Sequence, residues 1–224
     1  MITDIRKFAL SNGISGMTYD DYVSKTFKNA YVEPTVIEER NMASMTSIGV
    51  YSRLLMDRII FLGTEINDDV ANLMTAQLLW LEQQSDSDIQ MMINSGGGSV
   101  YDGLQIIDTM NFIKPEVVTT VTGLSASMAA VIATCGSKGK RSALPHSRFM
   151  IHQVIGGAYG QCADIQIRAA ETKKLQDELY KILSENSNYN IDTIGIMADR
   201  DNWMDAEEAV NGGFIDNIIK SKKN

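Results

Sequence analysis

From Val117 to Ser137 the chain carries no charged side chain. Such a run is long enough to cross a membrane, yet it holds four Thr, three Ser and two Gly. That polar content suits an internal strand, turn and helix far better. Val117-Val-Thr-Thr-Val121 is β-branched and favours a buried strand. A sharp turn is expected at Gly123, followed by a helix of very small residues with Ser127 in its first turn. Backbone N–H groups there lack intrahelical partners, and the macrodipole favours a developing anion. A serine so held is a candidate nucleophile, with the next residue's N–H placed to polarise the carbonyl under attack. The plainer reading is that Ser125 and Ser127 cap and pack a core helix, since serine is a common N-cap.

The length, 224 residues, allows a sizeable core in one large domain or two small ones. A net charge of −8 and a pI near 4.8 leave no electrostatic footprint for nucleic acid. Cys135 and Cys162 make neither a disulfide framework nor a metal site. With only His146 and His152 present, a His-rich metal centre is excluded and a general base has few places to sit. Met1–Met17 has charges but no apolar core of a secretory signal. A cytoplasmic or organellar-matrix enzyme is the expected setting, with no membrane partner.

Met1–Tyr31 is polar and weakly patterned and reads as a flexible extension. Pro34–Glu39 reads as a short strand, and the uncharged Asn41–Gly49 as a mobile loop. Tyr51–Asp57 suits a short helix and Arg58–Gly63 a strand. Asn67–Gln84 carries Val70, Leu73, Met74, Leu78 and Leu81 at helical spacing, with Asp68 and Asp69 near its start. The strand Ile89–Ile93 ends in Asn94-Ser-Gly-Gly-Gly-Ser99, and a helix over Val100–Phe112 is stopped by Lys114-Pro115. Strand and helix therefore alternate from Arg58 to Cys135, the pattern of a parallel α/β core. Further strands are expected at Lys140–Leu144, Phe149–Ile151 and Phe214–Ile219. A long helix over Ala163–Asn186 mixes polar and apolar residues around its circumference, so it projects toward a partner. A helical turn near Ile191–Met197 and an acid-capped helix from Asp205, ended by Gly212-Gly213, complete one undivided domain.

Glycine-rich turns follow two of the strands, at Gly96-Gly-Gly98 and at Gly123. The first lacks the Gly-Lys-Ser/Thr ending of a P-loop and the third glycine of a dinucleotide fingerprint. What remains is an oxyanion hole for acyl chemistry, with the N–H of Gly98 on one side and that of Met128 on the other. Acyl transfer through serine also needs a base and a group that orients it. His152 closes the strand Phe149-Met-Ile151, where α/β sites gather, whereas His146 sits beside Pro145 in a turn. Asp164, Asp177, Asp199 and Asp201 all remain open as the acid.

At this point the residues resemble a family. Gly123-Leu-Ser-Ala-Ser-Met128 and Pro145-His-Ser-Arg-Phe-Met-Ile-His-Gln153 are similar to the two signatures of the ClpP serine peptidases. Pro34–Glu39, Tyr51–Leu55, Asp57–Gly63, Ile93-Asn-Ser95, Gly97–Val100, Lys138–Arg141 and Asp199-Arg-Asp201 follow the family pattern as well, so the likeness runs from about Pro34 to Ile219. The resemblance implies an α/β fold, a ClpP/crotonase-like β-α spiral core with a projecting handle helix over 163–186. It implies a propeptide over 1–31, one peptidase domain over 32–224, and an axial pore strand and loop over Pro34–Gly49. Ser127 would be the nucleophile, His152 the general base and Asp201, rather than Asp199, the acid orienting the imidazole. The N–H groups of Gly98 and Met128 fall where the family builds its oxyanion hole, and Asp199 and Arg200 look like its inter-ring charged pair. The implied partners are the chain itself, as two stacked heptameric rings, unfolded polypeptide, and a hexameric AAA+ unfoldase of the ClpX, ClpA or ClpC kind. ATP is then used by that unfoldase, and this subunit carries no cofactor or metal.

Several positions depart from the pattern. Gly96 and Val154 stand where the family usually has proline, and Ser125 replaces an alanine, with a local hydrogen bond as the plain expectation for its hydroxyl. Asn41–Ile48 lacks the usual Arg-Gly-Glu-Arg charges, and Gln90 and Met92 replace tyrosines of the unfoldase-docking pocket. The leading reading is a self-compartmentalising serine endopeptidase acting on unfolded protein. The alternatives are a catalytically silent ring subunit and, lower, a crotonase-type acyl-CoA enzyme.

Overall fold

The structure, a computed structural model, describes residues 35–41 and 44–220; the extension expected over 1–31 lies outside them. The described residues divide into two units, one ending at Arg53 and the other beginning at Leu54. In the first, β1 (Thr35–Asn41) and β2 (Ser44–Gly49) pair as an antiparallel hairpin, Thr35 opposite Gly49 and Asn41 opposite Ser44. The strand at Ser44–Gly49 corrects the loop expected there. The segment carries no strand pattern of its own, and an antiparallel neighbour gives that backbone its ladder.

Helix α1 (Val50–Met56) follows, and then the elements that carry the site. They are β3 (Ile59–Leu62), α2 (Asp68–Gln84), β4 (Ile89–Ser95), α3 (Val100–Phe112), β5 (Val117–Ala126) and α4 (Met128–Thr134). After them come β6 (Ser142–Ala143), β7 (Arg148–Ile151), α5 (Cys162–Asn186), α6 (Ile191–Met197), β8 (Asn202–Asp205), α7 (Ala206–Asn211) and β9 (Asn217–Ile218). The main sheet runs β3-β4-β5-β6-β9, all parallel, as the strand–helix alternation predicts. Strands β3, β4 and β5 bury Ile60, Leu62, Ile89, Met91, Ile93, Val117 and Val121, each at most 2% exposed. On β3 and β4 burial alternates along the strand, with Phe61, Gln90 and Asn94 exposed, so the core lies against one face of the sheet there. Met74, Leu78 and Leu81 form the buried side of α2, while Leu73, assigned to that side from the spacing, is 58% exposed.

β5 determines where the site forms. Its first half pairs with β4 and β6, and its second half, Leu124–Ala126, pairs in parallel with β7. Between the halves the ladder with β4 slips, from Ile93 opposite Val121 to Ser95 opposite Ser125. Asn94 fills the slip by accepting a hydrogen bond from Leu124 N–H at 3.0 Å. The turn expected at Gly123 is thus absent and the strand runs on to Ala126. Glycine suits position 123 because a Cβ there would lie 2.6 Å from Asn94 Oδ1, the oxygen that the Leu124 bond holds in place.

Small residues let α4 sit deep. Ala129, Ala130, Ile132 and Ala133 are all fully buried, and a Cβ on Gly103 of α3 would lie 2.2 Å from the Met128 side chain. The uncharged run is therefore an inner strand and a core helix. No helix among the described residues is long and apolar enough to cross a membrane. In the long helix α5 residues 162–170 are all exposed, Leu179, Tyr180 and Leu183 are buried, and Ile182 packs against the core.

Two expected strands shorten, Lys140–Leu144 to β6 and Phe214–Ile219 to β9. Arg141 stands immediately before β6 and reaches Asp216, immediately before β9. Its guanidinium is 4% exposed and holds Asp216 through Nε and Nη2 at 3.0 and 2.6 Å, while Nη1 donates to the carbonyls of Thr134 and Asn186. Phe214 and Ile215 plug the core in a turn instead of extending a strand. Burial alone would raise the Asp216 pKa, but the hydrogen bonds and charge of Arg141 carry it below the ordinary carboxylate value. A depressed folded pKa stabilises the fold above the unfolded value and loses that stabilisation as pH falls through the folded one. Asp216→Asn, which strands a buried guanidinium, is expected to cost about 3 kcal/mol at neutral pH. Thermal unfolding should show a large deficit at pH 7 that closes on acidification. A deficit independent of pH would disprove the electrostatic origin.

Candidate active site

Strand register builds the site. β5 and β7 are parallel with Ala126 beside Met150, so Ser127 and His152 leave the sheet at the same end. Ser127 N–H donates to Met150 O at 2.9 Å and locks that junction. β7 and β8 are antiparallel with Ile151 opposite Asn202, so the residue before β8, Asp201, faces the residue after β7, His152. Ser127 turns the chain from strand to helix with φ 55° and ψ −127°, a conformation that costs a non-glycine residue on the order of 1–3 kcal/mol. It holds the N-cap position of α4, yet its hydroxyl makes no cap bond. Oγ lies instead 2.8 Å from His152 Nε2. His152 Nδ1 lies 3.1 Å from Asp201 Oδ1. A carboxylate only accepts, so the Nδ1 proton donates to Asp201 and Nε2 is left to accept the Ser127 hydroxyl proton. The imidazole is sheltered, 16% exposed, while Asp201 stands 60% in solvent.

Opposite Ser127 lies the glycine loop after β4. Gly97 and Gly98 have φ of 94° and 151°, which side chains rarely adopt. A Cβ on Gly97 would lie 2.7 Å from the Ser127 Cβ and 2.9 Å from the Met128 nitrogen. Only a bare backbone can approach the serine this closely. The loop is stitched to the segment after β3: Gly97 C=O accepts from Ile66 N–H, and Ile66 C=O accepts from Ser99 N–H, both at 2.9 Å. Neither the Gly98 N–H nor the Met128 N–H has an acceptor among the described residues. A cleft of about 500 Å³ opens beside these groups, walled by Val100, Met128, Val131, Val154, Leu179 and Leu183. A Cβ on Gly96 would meet nothing within 4 Å, so glycine there adds backbone freedom and relieves no clash.

Of the acids left open by the sequence, only Asp201 reaches the imidazole. Asp199 contributes its backbone, accepting Gln153 Nε2–H at 2.7 Å, and its carboxylate lies 3.5 Å from the neighbouring Arg200 in an exposed pair. Asp177 pairs with Lys173 on α5, and Asp164 lies in the first turn of that helix. His146 is exposed in the turn after β6. The residues alone give Gln153 no structural task and predict no strand at β8. Gln153 anchors the 199–201 turn against β7, and β8 carries a charged, mixed sequence with no strand pattern of its own. Among the described residues no cluster of His, Cys, Asp or Glu suits a metal ion.

The chain matches the family model "Clp protease" over residues 42–222. The chain belongs to the Clp protease family. It is 49% identical over 221 residues to the "ATP-dependent Clp protease proteolytic subunit" of Bacteroides thetaiotaomicron, covering 98% of this chain and 99% of that one. Its counterpart in Porphyromonas gingivalis is 45% identical, covering 99% of this chain and 100% of that one. That of Ligilactobacillus salivarius is 52% identical, covering 85% and 96%. The Clp protease family member described here is a serine endopeptidase, which sets aside both the acyl-CoA and the silent-subunit readings.

Ser125, directly behind the Ser127 turn, departs from the expectation of a local hydrogen bond. It is fully buried and its hydroxyl has no partner among the described residues. Its neighbours in the ladders are Ser95 and Phe149. A buried orphan hydroxyl costs about 1–3 kcal/mol. Ser125→Ala should therefore raise the thermal midpoint, with a gain of about 1 kcal/mol, and leave peptide hydrolysis intact. A lowered midpoint would mean that the hydroxyl has a partner after all.

Proposed function

We propose that Ser127, His152 and Asp201 perform peptide hydrolysis by an acyl-enzyme route, with the N–H groups of Gly98 and Met128 as the oxyanion hole. The hydrogen-bonded series from Ser127 Oγ through both imidazole nitrogens to Asp201 carries this reading. His152 Nε2 takes the Ser127 proton as Oγ attacks the scissile carbonyl carbon. The carbonyl oxygen becomes an anion between the two N–H groups. Asp201 stabilises the imidazolium, which then gives its proton to the departing amine. Water enters, His152 takes one of its protons, and hydroxide attack releases the acid and restores Ser127. The apolar cleft walls favour apolar side chains beside the scissile bond. Ser127 and His152 relay every proton in this cycle, Asp201 supplies the balancing charge and water is the co-reactant, so no cofactor is needed in the subunit.

The assembly belongs to the same proposal. Two heptameric rings would stack through α5, whose exposed first half presents Ile165 and Ile167, and through Asp199 and Arg200. A hexameric AAA+ unfoldase would feed unfolded polypeptide into the enclosed chamber, in keeping with the "ATP-dependent" relatives. Residues 1–31 would be a propeptide ahead of a single peptidase domain over 32–224, working in the cytoplasm.

A fluorophosphonate probe read by intact mass tests the nucleophile. Wild-type protein should gain one adduct per chain, and Ser127→Ala none while keeping residues 1–31; an unlabelled wild type in assembled rings would sink the assignment. For the acid, Asp201→Asn is expected to lower kcat about 10⁴-fold, whereas Asp199→Asn should chiefly change the ring population seen by native mass spectrometry. Equal and purely catalytic losses would overturn the distinction between them.

A further inference from the structure

We infer that Ser95 is a positioning residue that holds the glycine loop in its oxyanion-binding conformation. The inference rests on the reading of Gly98 N–H as an oxyanion donor. Ser95 ends β4 and is 3% exposed, a polar side chain buried at the point where the strand gives way to three glycines. Its hydroxyl makes two hydrogen bonds at once. It donates to Thr64 C=O at 2.6 Å and accepts from Gly97 N–H at 3.1 Å. Each of these backbone groups lies on one side of the same junction. Thr64 begins the segment that carries Ile66, and Ile66 N–H holds the carbonyl of the Gly97–Gly98 peptide at 2.9 Å.

In a trans peptide the N–H points opposite to the C=O. Directing the Gly97 carbonyl at Ile66 therefore turns the Gly98 N–H the other way. The peptide before it is held by Ser95, so both units flanking Gly97 are pinned. Sterics do little of this work, because glycine at φ 94° and 151° is equally at ease in other conformations and Gly96 has open space around it. Without the Ser95 hydroxyl, the buried Gly97 N–H and the Thr64 carbonyl both lose a partner. The loop then gains freedom just where one donor must meet a developing charge. Such preorganisation acts on the transition state and leaves ground-state binding largely alone.

Ser95→Ala should lower kcat roughly 10- to 100-fold with KM nearly unchanged. Affinity for a peptide boronate, whose tetrahedral adduct carries an oxygen in the anion's place, should fall by a similar factor. Ser95→Cys, with a weaker donor and acceptor of similar shape, should recover part of both losses. If the alanine variant fails to assemble into rings, the cysteine variant alone decides: reduced kcat at unchanged KM supports the role, and wild-type kcat overturns it. An alanine variant that assembles and keeps wild-type kcat and boronate affinity likewise overturns it. A crystal structure of the wild-type boronate adduct separates this from failure of the underlying reading. A boronate oxygen on the Gly98 and Met128 N–H groups keeps the oxyanion hole whatever Ser95 does. An oxygen directed elsewhere removes both.

Discussion

The pairing of β5 with different neighbours along its length is the constraint on which the site depends. A strand that paired with β4 and β6 from end to end would finish in the middle of a flat parallel sheet. Instead it slips against β4 at Asn94, continues past Gly123, and takes β7 as a new partner. Since β7 carries His152 at its end and pairs antiparallel with β8, one register sets the relative positions of all three members of the series. A one-residue slip in any of these ladders would send a side chain to the opposite face. The geometry of the hydrogen-bonded series and that of the sheet are here the same thing.

A strained serine and two glycines in conformations open only to glycine meet at that end of the sheet. Ser127 occupies a positive φ without being glycine, and the loop facing it has positive φ at two consecutive glycines. Packing over-determines both. Ser127 is held by its bond to Met150 and by the buried alanines of α4, and the glycines by their bonds to Ser95 and Ile66. The unpartnered Gly98 and Met128 N–H groups follow from this arrangement. They lie at a loop and at a helix start, where no ladder or helix supplies an acceptor.

Away from the cleft, stability rests on a different device. Arg141 gathers Asp216 and the carbonyls of Thr134 and Asn186, so one buried guanidinium ties the ends of α4 and α5 to the last strand. This fixes the base of the long helix while its first half stays in solvent. The contrast suits an element with one end in the core and the other available for assembly.

Much of this was legible in the residues. The alternation of strands and helices, the extent of α3, the capping box of α7 and the candidacy of Ser127, His152 and Gly98 follow from period, glycine placement and the scarcity of histidine. These are local properties, and a chain writes them locally. Position-by-position likeness to a family singled out Asp201 where spacing alone could not. Tertiary structure decided the rest. It moved the turn from Gly123 to Ser127, made Ser44–Gly49 a strand, cut β6 and β9 short, left Ser125 unpartnered and gave Ser95 and Gln153 their tasks. Each of these depends on which backbone groups from distant segments face one another. A carboxylate 49 residues from an imidazole, or a hydroxyl 31 residues from a carbonyl, becomes a partner only when strand register brings the two together.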